Sequence, residues 1–483
     1  MSPSQHPSRR RFLGQAAAGA ALLACGSRRA HAAPGEQLSI GVIGMGWRGG
    51  ELAKTFNALP GVRLAALCDV DRARLDEAGA LYPGATRYSD HRELLADGSI
   101  DAVAIATCNH WHCLAAIEAC QAGKHVYVEK PLGHDLWEQR QMIAAARKHD
   151  RIAQIGTQQR SDPMQAEIKR FLHEEQGIGA LTGAVACRYG ARKAIGKRAT
   201  PLTPPATVDY DRWLGPAHDR PIYRDQLHYD WHWDWNTGNG EMSNWGVHLL
   251  DDVRNTVLGD QPLPRSVAAV GGRAVWDDAG QTPNVHATLF ETDTIPVVGV
   301  VSNLEPVGGR RGRLREAGVD TGYVVYGEGG RYEGRRGGGK AFDTDGKLIR
   351  EFSGNGGMPT HCANFVTAVR AGDASLLNAD VECGHYSTAW CHLANAAVVA
   401  GAPGDEGPNP TSLSQDPHWR RVVGVLENDL AKRGVAFDTP VFRVSPRLAV
   451  EAERERFASG APRAANGHLE HHGRDGYRVP EIT

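Results

Sequence analysis

The chain has 483 residues, 41% hydrophobic and 23% charged, with a formal net charge of −2. That is enough chain for two domains with full cores, and the composition is that of an ordinary soluble globular protein. Near-neutral charge disfavours nucleic acid as a partner and suits a neutral or small substrate, and after the first thirty residues no run of about 18 apolar residues exists to span a membrane.

The first element is an address. Ser8-Arg9-Arg10-Arg11-Phe12-Leu13 precedes small and apolar residues up to Ala24, the pattern of a twin-arginine export signal over residues 1–32, with Ala30-His31-Ala32 as a small-residue cleavage site. Loss of its five arginines would take the mature chain to about −7. The expected location is therefore periplasmic or otherwise exported, with the export machinery as a transient partner. Leu22-Leu23-Ala24-Cys25-Gly26 offers a second outcome, lipidation at Cys25, ranked below simple cleavage because Leu23 suits the motif poorly. The other eight cysteines form no CxxC pair and read as buried thiols.

Residues 37–157 alternate short apolar runs with helix-length segments. Runs at Leu38–Ile43, Val62–Cys68, 102–106, His125–Val128 and 152–155 are separated by segments such as 50–58, Arg72–Leu81 and Leu136–Lys148. This grammar predicts a doubly wound parallel sheet, a Rossmann domain. Directly after the first run stands Gly44-Met45-Gly46-Trp47-Arg48-Gly49, a GxGxxG between strand and helix. Its glycines allow a tight turn, close approach to a pyrophosphate and helix–strand packing, and the helix start faces the phosphates. Asp69, twenty residues on, ends the second run and can accept from a ribose diol, which favours NAD over NADP; Arg72 and Arg74 nearby weaken that preference. Glu129-Lys130-Pro131 ends a later run, where such sheets place their ligand. Lys130 there can hold an incipient alkoxide, or shuttle a proton if its surroundings lower its pKa.

From residue 158 to 440 the grammar changes to strands at 185–189, 266–271, 285–290, Val297–Ser302 and 323–326. This predicts an α/β domain on an open, largely antiparallel sheet, with helices at 361–372 and 384–400. Glycine-rich stretches at 307–318 and 335–340 read as surface loops. The polar stretch 441–483 is a tail that either wraps over the surface or is mobile. Between 229 and 245 lie Trp231, Trp233, Trp235 and Trp245. Flat rings with N–H donors suit a pyranose face, and Trp231 and Trp235 are expected to touch the substrate; alternating tryptophans can equally pin a loop to the core. His228 and His232 stand four apart, but the segment does not read as a helix, so no metal is expected.

The motifs AIATCNHWH (104–112), VEKPLGH (128–134), GNGEMSNWGVHLLD (238–251), HCANFVTAVRAG (361–372) and GHYSTAWCHLANAA (384–397) resemble the Gfo/Idh/MocA family of sugar oxidoreductases. The resemblance implies a Rossmann half, a second half whose open sheet often mediates assembly, and hence a homo-oligomer. It implies that Lys130 contacts substrate near the nicotinamide, that Asn109 and His112 pass beside the cofactor with Glu129, and that His248 exchanges a proton with a sugar hydroxyl. An aspartate common four residues before that histidine is here Asn244, which can orient a hydroxyl but cannot take its proton. Asp251 is placed either to contact the sugar or to cap its helix.

An exported protein has no NAD(P) pool to exchange with, so the cofactor is expected to stay bound and be recycled. Two chemistries fit. One is hydride transfer from a sugar or cyclitol hydroxyl. The other is an NAD-dependent glycosidase using transient oxidation, elimination and hydration, as the resemblance to exported glycoside hydrolase family 109 implies; Tyr189 is a weak candidate for its proton at C2. A non-catalytic sugar-binding protein is the third reading.

Overall fold

The computed structural model describes residues 37–470 and 473–483; the export signal and Cys25 lie outside the described residues. The first sheet has six parallel strands, β1 (Leu38–Ile43), β2 (Val62–Cys68), β3 (Thr86–Tyr88), β4 (Ala102–Ile105), β5 (His125–Val128) and β6 (Ala153–Ile155), in the order β3-β2-β1-β4-β5-β6. This is the doubly wound order, with its switch point between β1 and β4. β1, β4 and β5 are buried along their whole length, as strands covered on both faces must be, which is why they read as unbroken apolar runs. Register then sets the site. Ile43 pairs with Cys68 and Ile105, and Ile105 pairs with Val128. The residues that follow, Gly44, Asp69, Ala106 and Glu129, therefore emerge along one edge.

The second sheet is formed by β7 (Leu181–Tyr189), β8 (Ser266–Gly272), β9 (Val285–Glu291), β10 (Val297–Ser302), β11 (Thr321–Gly327), β12 (Gly330–Arg335), β13 (Gly338–Asp343), β14 (Leu348–Ser353), β15 (Ala402–Pro403), β16 (Phe442–Glu451) and β17 (Arg456–Phe457). β7 and β10 run parallel; the other pairs are antiparallel. Helices Val247–Thr256 and Val381–Ala400 cover one face, where Trp390, Phe290 and Leu393 are buried together. The opposite face is not open. Helix Pro417–Ala431 lays Trp419, Val422 and Leu426 against Val298, Val300 and Leu289, so the exposed face on which the assembly expectation rested is occupied by the chain itself over β7, β9 and β10.

Two segments from beyond residue 158 pack on the first sheet. Helix Met358–Ala371 places Phe365 and Cys362 in the cluster of Phe56 and Tyr127. Residues 473–483 lay Tyr477, Val479 and Ile482 on the cluster of Leu114 and Ile117. The stretch 335–340 is no surface loop: it is the end of β12, the turn at 336–337 and the start of β13.

Candidate active site

The three glycines of the first turn do three jobs. Gly44 has φ +90°, and a Cβ on it would lie 2.7 Å from the Ala106 carbonyl oxygen, so only glycine sits there without strain. Gly49 would place a Cβ 1.7 Å from the Gly44 oxygen; it permits the helix to touch the turn and is not a cavity wall. Gly46 has only the tip of Arg74 near it, at 3.2 Å from a built Cβ, and faces a cavity of about 740 Å³. Gly44, Trp47 and Arg48 line the same cavity, whereas the Met45 side chain is buried in the core. The Met45 contribution is its backbone N–H, which donates to Asp69 Oδ2 at 2.6 Å.

Asp69 lines the cavity at the end of β2 and accepts from the Asp71 N–H at 2.8 Å with its other oxygen. Burial raises its pKa; these two donors oppose the rise. Asn109 and His112 also line the cavity. Asn109 donates to Asn239 Oδ1 at 3.1 Å, and both ring nitrogens of His112 face carbonyls, Pro131 at 2.7 Å and Thr107 at 3.2 Å. Burial lowers the His112 pKa, and the two carbonyls oppose the fall. Its neighbour His110 ties the same loop to the second domain through the Thr237 and Trp213 carbonyls, both at 3.2 Å.

Glu129 is buried, 3.6 Å from the Arg48 guanidinium, and accepts from Gln158 Nε2 at 3.0 Å. Lys130 follows through a cis bond to Pro131. Its Nζ donates to both carbonyl oxygens of Asn244, backbone at 2.9 Å and side chain at 3.0 Å. Desolvation pulls its pKa down to about 8, against the attraction of Glu129. Asn244 is held from behind by Glu241, which accepts from its amide at 3.3 Å. Residues Met242–Gly246 wind as one wide π turn before the helix that carries His248, a geometry frequent at functional sites. His248 lines the cavity beside Lys130, and its ring nitrogens have no hydrogen-bond partner among the described residues. Burial first, then the charges of Arg336 and Lys130, hold its pKa well below the ordinary value, so the imidazole is neutral.

Two expected substrate contacts lie elsewhere. Asp251 is 1% exposed and faces away from the cavity, accepting from Arg160 Nε at 2.8 and 2.9 Å and from Ser387 Oγ at 2.6 Å. It is a structural carboxylate. Trp235 lies outside the cavity lining, half-buried with its ring edge-on to His468 at 4.8 Å. Trp231 does line the cavity, with His232 stacked on it at 3.7 Å. His228 and His232 do not converge: His228 meets Asp71 at 2.9 Å and His232 meets the Tyr229 carbonyl at 2.6 Å. Tyr189 is buried on the far side of the second sheet, away from the cavity.

Several cavity residues escaped the sequence reading. Trp245 lines it with the Arg188 guanidinium 4.7 Å above its ring; the tryptophan cluster was the signal for it. Arg188, Arg192, Tyr229, Arg336 and Tyr477 also line the wall, and no motif marks them. The cationic lining departs from the expectation of a neutral substrate: seven arginines and Lys130 face the cavity against three carboxylates.

Comparison with known proteins agrees with this geometry. Residues 38–157 match the Gfo/Idh/MocA model described as an oxidoreductase family, NAD-binding Rossmann fold, and residues 191–297 match that family's C-terminal alpha/beta domain. Both halves of the chain thus match models of the Gfo/Idh/MocA oxidoreductase family. Among curated relatives, inositol 2-dehydrogenase 2 of Saccharopolyspora erythraea is 36% identical over 182 residues, 37% of this chain and 53% of that one. A glycosyl hydrolase family 109 protein of Solibacter usitatus is 37% identical over 130 residues, 24% of this chain and 30% of that one. The match thus spans about half or less of these relatives. Among solved structures, the WlbA dehydrogenase of Bordetella pertussis, in complex with NADH and UDP-GlcNAcA, superposes with a TM-score of 0.54 at 18% identity, covering 73% of this chain and 93% of that one. The aldose-aldose oxidoreductase of Caulobacter crescentus gives 0.54 at 17%, covering 73% and 95%. At these identities the Gfo/Idh/MocA structures share the fold.

Proposed function

We propose that the protein is an NAD-dependent oxidoreductase that takes a hydride from a hydroxyl-bearing carbon of a sugar or cyclitol and keeps its nucleotide bound between turnovers. The observation that carries this reading is the shared cavity: the glycine turn, Asp69, Lys130 and His248 all line it. The residues fit a dinucleotide. Gly46 leaves room for a pyrophosphate at the helix start, and each Asp69 oxygen keeps a free lone pair for a ribose diol while repelling a 2′-phosphate, which favours NAD over NADP. Bound there, NAD supplies the hydride acceptor.

The chain's own task is the hydroxyl proton. In its neutral form the Lys130 amine has two hydrogens, and Asn244 offers two acceptors for them; the lone pair is then left for the substrate. With a pKa of about 8, the amine is neutral often enough near neutrality to serve as the base. Asn244 thus orients the base rather than joining a proton relay. His248, whose cationic form burial disfavours, donates to or accepts from the reacting oxygen as a neutral ring. Trp231 and Trp245 give apolar walls for a sugar face.

Retention is supported by the tail. Tyr477 forms part of the cavity wall, edge-on to Trp111 at 5.6 Å, with its hydroxyl donating to Asp211 at 3.0 Å. The end is fastened by Ile482 N–H to Gln141 at 2.7 Å and by Lys148 to the Thr483 carbonyl at 2.9 Å. A nucleotide closed in by this strap suits a protein exported, through the twin-arginine signal at 1–32, to a compartment without an NAD pool. No helix among the described residues is long and apolar enough to cross a membrane.

The test is to incubate the purified protein with a panel of sugars, cyclitols and chromogenic glycosides. Keto-sugar accumulation or reduction of a dye acceptor is expected. Aglycone release without net NADH would instead establish the glycosidase reading, and binding without turnover the sugar-binding one.

A further inference from the structure

We propose that the sugar carries a fixed negative charge, a carboxylate or a sulfate ester, seated on Arg336 beside Lys130 and His248. The inference rests on the function proposed above and narrows its substrate class. Arg336 stands at the turn between β12 and β13, followed by Gly337 at φ +72°, a tight reversal that L side chains rarely enter. The hairpin returns from the edge region of the second sheet, and Arg336 reaches the cavity shared with the Rossmann domain. There its Nη2 donates to Gln158 Oε1 at 3.3 Å. The Gln158 amide nitrogen is committed to Glu129 and to Tyr127, each at 3.0 Å, so its oxygen is fixed toward the guanidinium.

Arg336 lacks a counter-charge. Among the described residues no carboxylate comes within 4.0 Å of it. Asp252 feels its charge but lies beyond ion-pair distance, and burial raises that carboxyl's pKa against the pull of Arg336. The other cations of the second-domain wall are better matched: Arg188 and Arg192 share the buried Glu241, at 3.4 and 3.1 Å. Three guanidinium groups therefore face the sugar half with one carboxylate between them. Arg48 and Arg74 belong to the glycine-turn side of the cavity, where Arg48 meets Glu129 at 3.6 Å and Arg74 lies beside Gly46. A cation held in a partly dry cleft without an anion is costly unless the ligand supplies one. A planar fork is also the donor geometry that carboxylate and sulfate oxygens fit.

The full-length protein, loaded with NAD, is titrated calorimetrically with D-glucuronate, D-glucose 6-sulfate and D-glucose, and with galacturonate and galactose. At least one acid is expected to bind tenfold or more tightly than its neutral parent, and the carboxylate and sulfate arms identify which anion fits. In Arg336→Gln the acids should fall to the level of the neutral sugars, while Arg336→Lys restores part of the preference; thermal melting checks that both variants fold. Acids that bind no better than their parents, or are not retained at all, overturn the proposal, as does a preference that survives in Arg336→Gln. NAD loading is measured first. Failure to load defeats the proposed function itself, whereas a loaded protein that prefers neutral sugars defeats only this inference.

Discussion

The two ends of the cavity are built differently. The nucleotide end is a short-range construction: one strand, one glycine turn, one helix, and an acid at the end of the neighbouring strand. Its geometry follows from sheet register, since Ile43 pairs with Cys68 and so sets Gly44 beside Asp69. The other end, where we place the sugar, is a long-range construction. Lys130 meets Asn244 across 114 positions, and Arg336 meets Gln158 across 178. The difference teaches where rigidity comes from. The first end is stiffened by backbone, and the second by buried polar contacts that need the whole chain in place.

Substitutions can break this contrast in order of severity. Lys130→Ala removes the base and should lower kcat by about 10²–10⁴-fold with NAD content unchanged, read by keto-sugar formation and nucleotide mass spectrometry. Asp251→Asn tests whether the sugar end depends on its buried scaffold. It takes one of two carboxylates from Arg160, whose side chain is 5% exposed and keeps Asp260 at 2.6 Å, so a loss of about 1–3 kcal/mol in unfolding free energy is expected by denaturant titration; a KM change without loss of stability would return Asp251 to the sugar. Gly49→Ala against Gly46→Ala sharpens the backbone argument. The first should disrupt turn and helix packing and abolish NAD uptake, and the second should fold and bind more weakly. Deleting residues 473–483 should leave the sheet intact and speed NAD loss in dialysis by about tenfold.

The smallest effect is pH. Lys130 acts as base only when neutral, and its folded pKa lies near 8. The oxidation rate should therefore rise from pH 6 and level off above about 8; a rate that falls through 8 would make the ammonium, not the amine, the active form. Stability has its own slope. His110 and His361 are pushed down to about 4, and burial lowers His248 as well. The unfolded chain binds protons at these positions below about 6.5 while the folded chain does not. Stability should thus be full above that pH and fall as pH drops toward 4, by up to about 1.4 kcal/mol per unit for each such histidine.

The contrast also governs what was legible in the sequence. The six-stranded sheet, the glycine turn, Asp69 and Lys130 could be read because each is signalled within a few residues of itself. Asp251 misled because its spacing of three from His248 places both on neighbouring positions of one helix, and nothing local announces that Arg160 and Ser387 will claim it. The tryptophans misled because a short tight turn at Asp230–Trp233 breaks the alternation, setting Trp231 on the cavity and Trp235 against His468. Arg336 sits in a glycine-rich stretch that has the composition of a surface loop; only the sheet order brings it to the site. The sequence predicts an uncovered face because few helices stand between the strands of the second sheet, but the Trp419 helix that covers them lies more than 100 residues downstream of β10.

The central claim is that the glycine turn holds a nicotinamide nucleotide beside Lys130. The most direct measurement is the nucleotide content of the purified full-length protein after exhaustive dialysis, by denaturation and mass spectrometry, followed by titration with NADH. About one NAD per chain, or tight uptake of added NADH, is the expected result; a protein that emerges empty and leaves NADH fluorescence unchanged would contradict it.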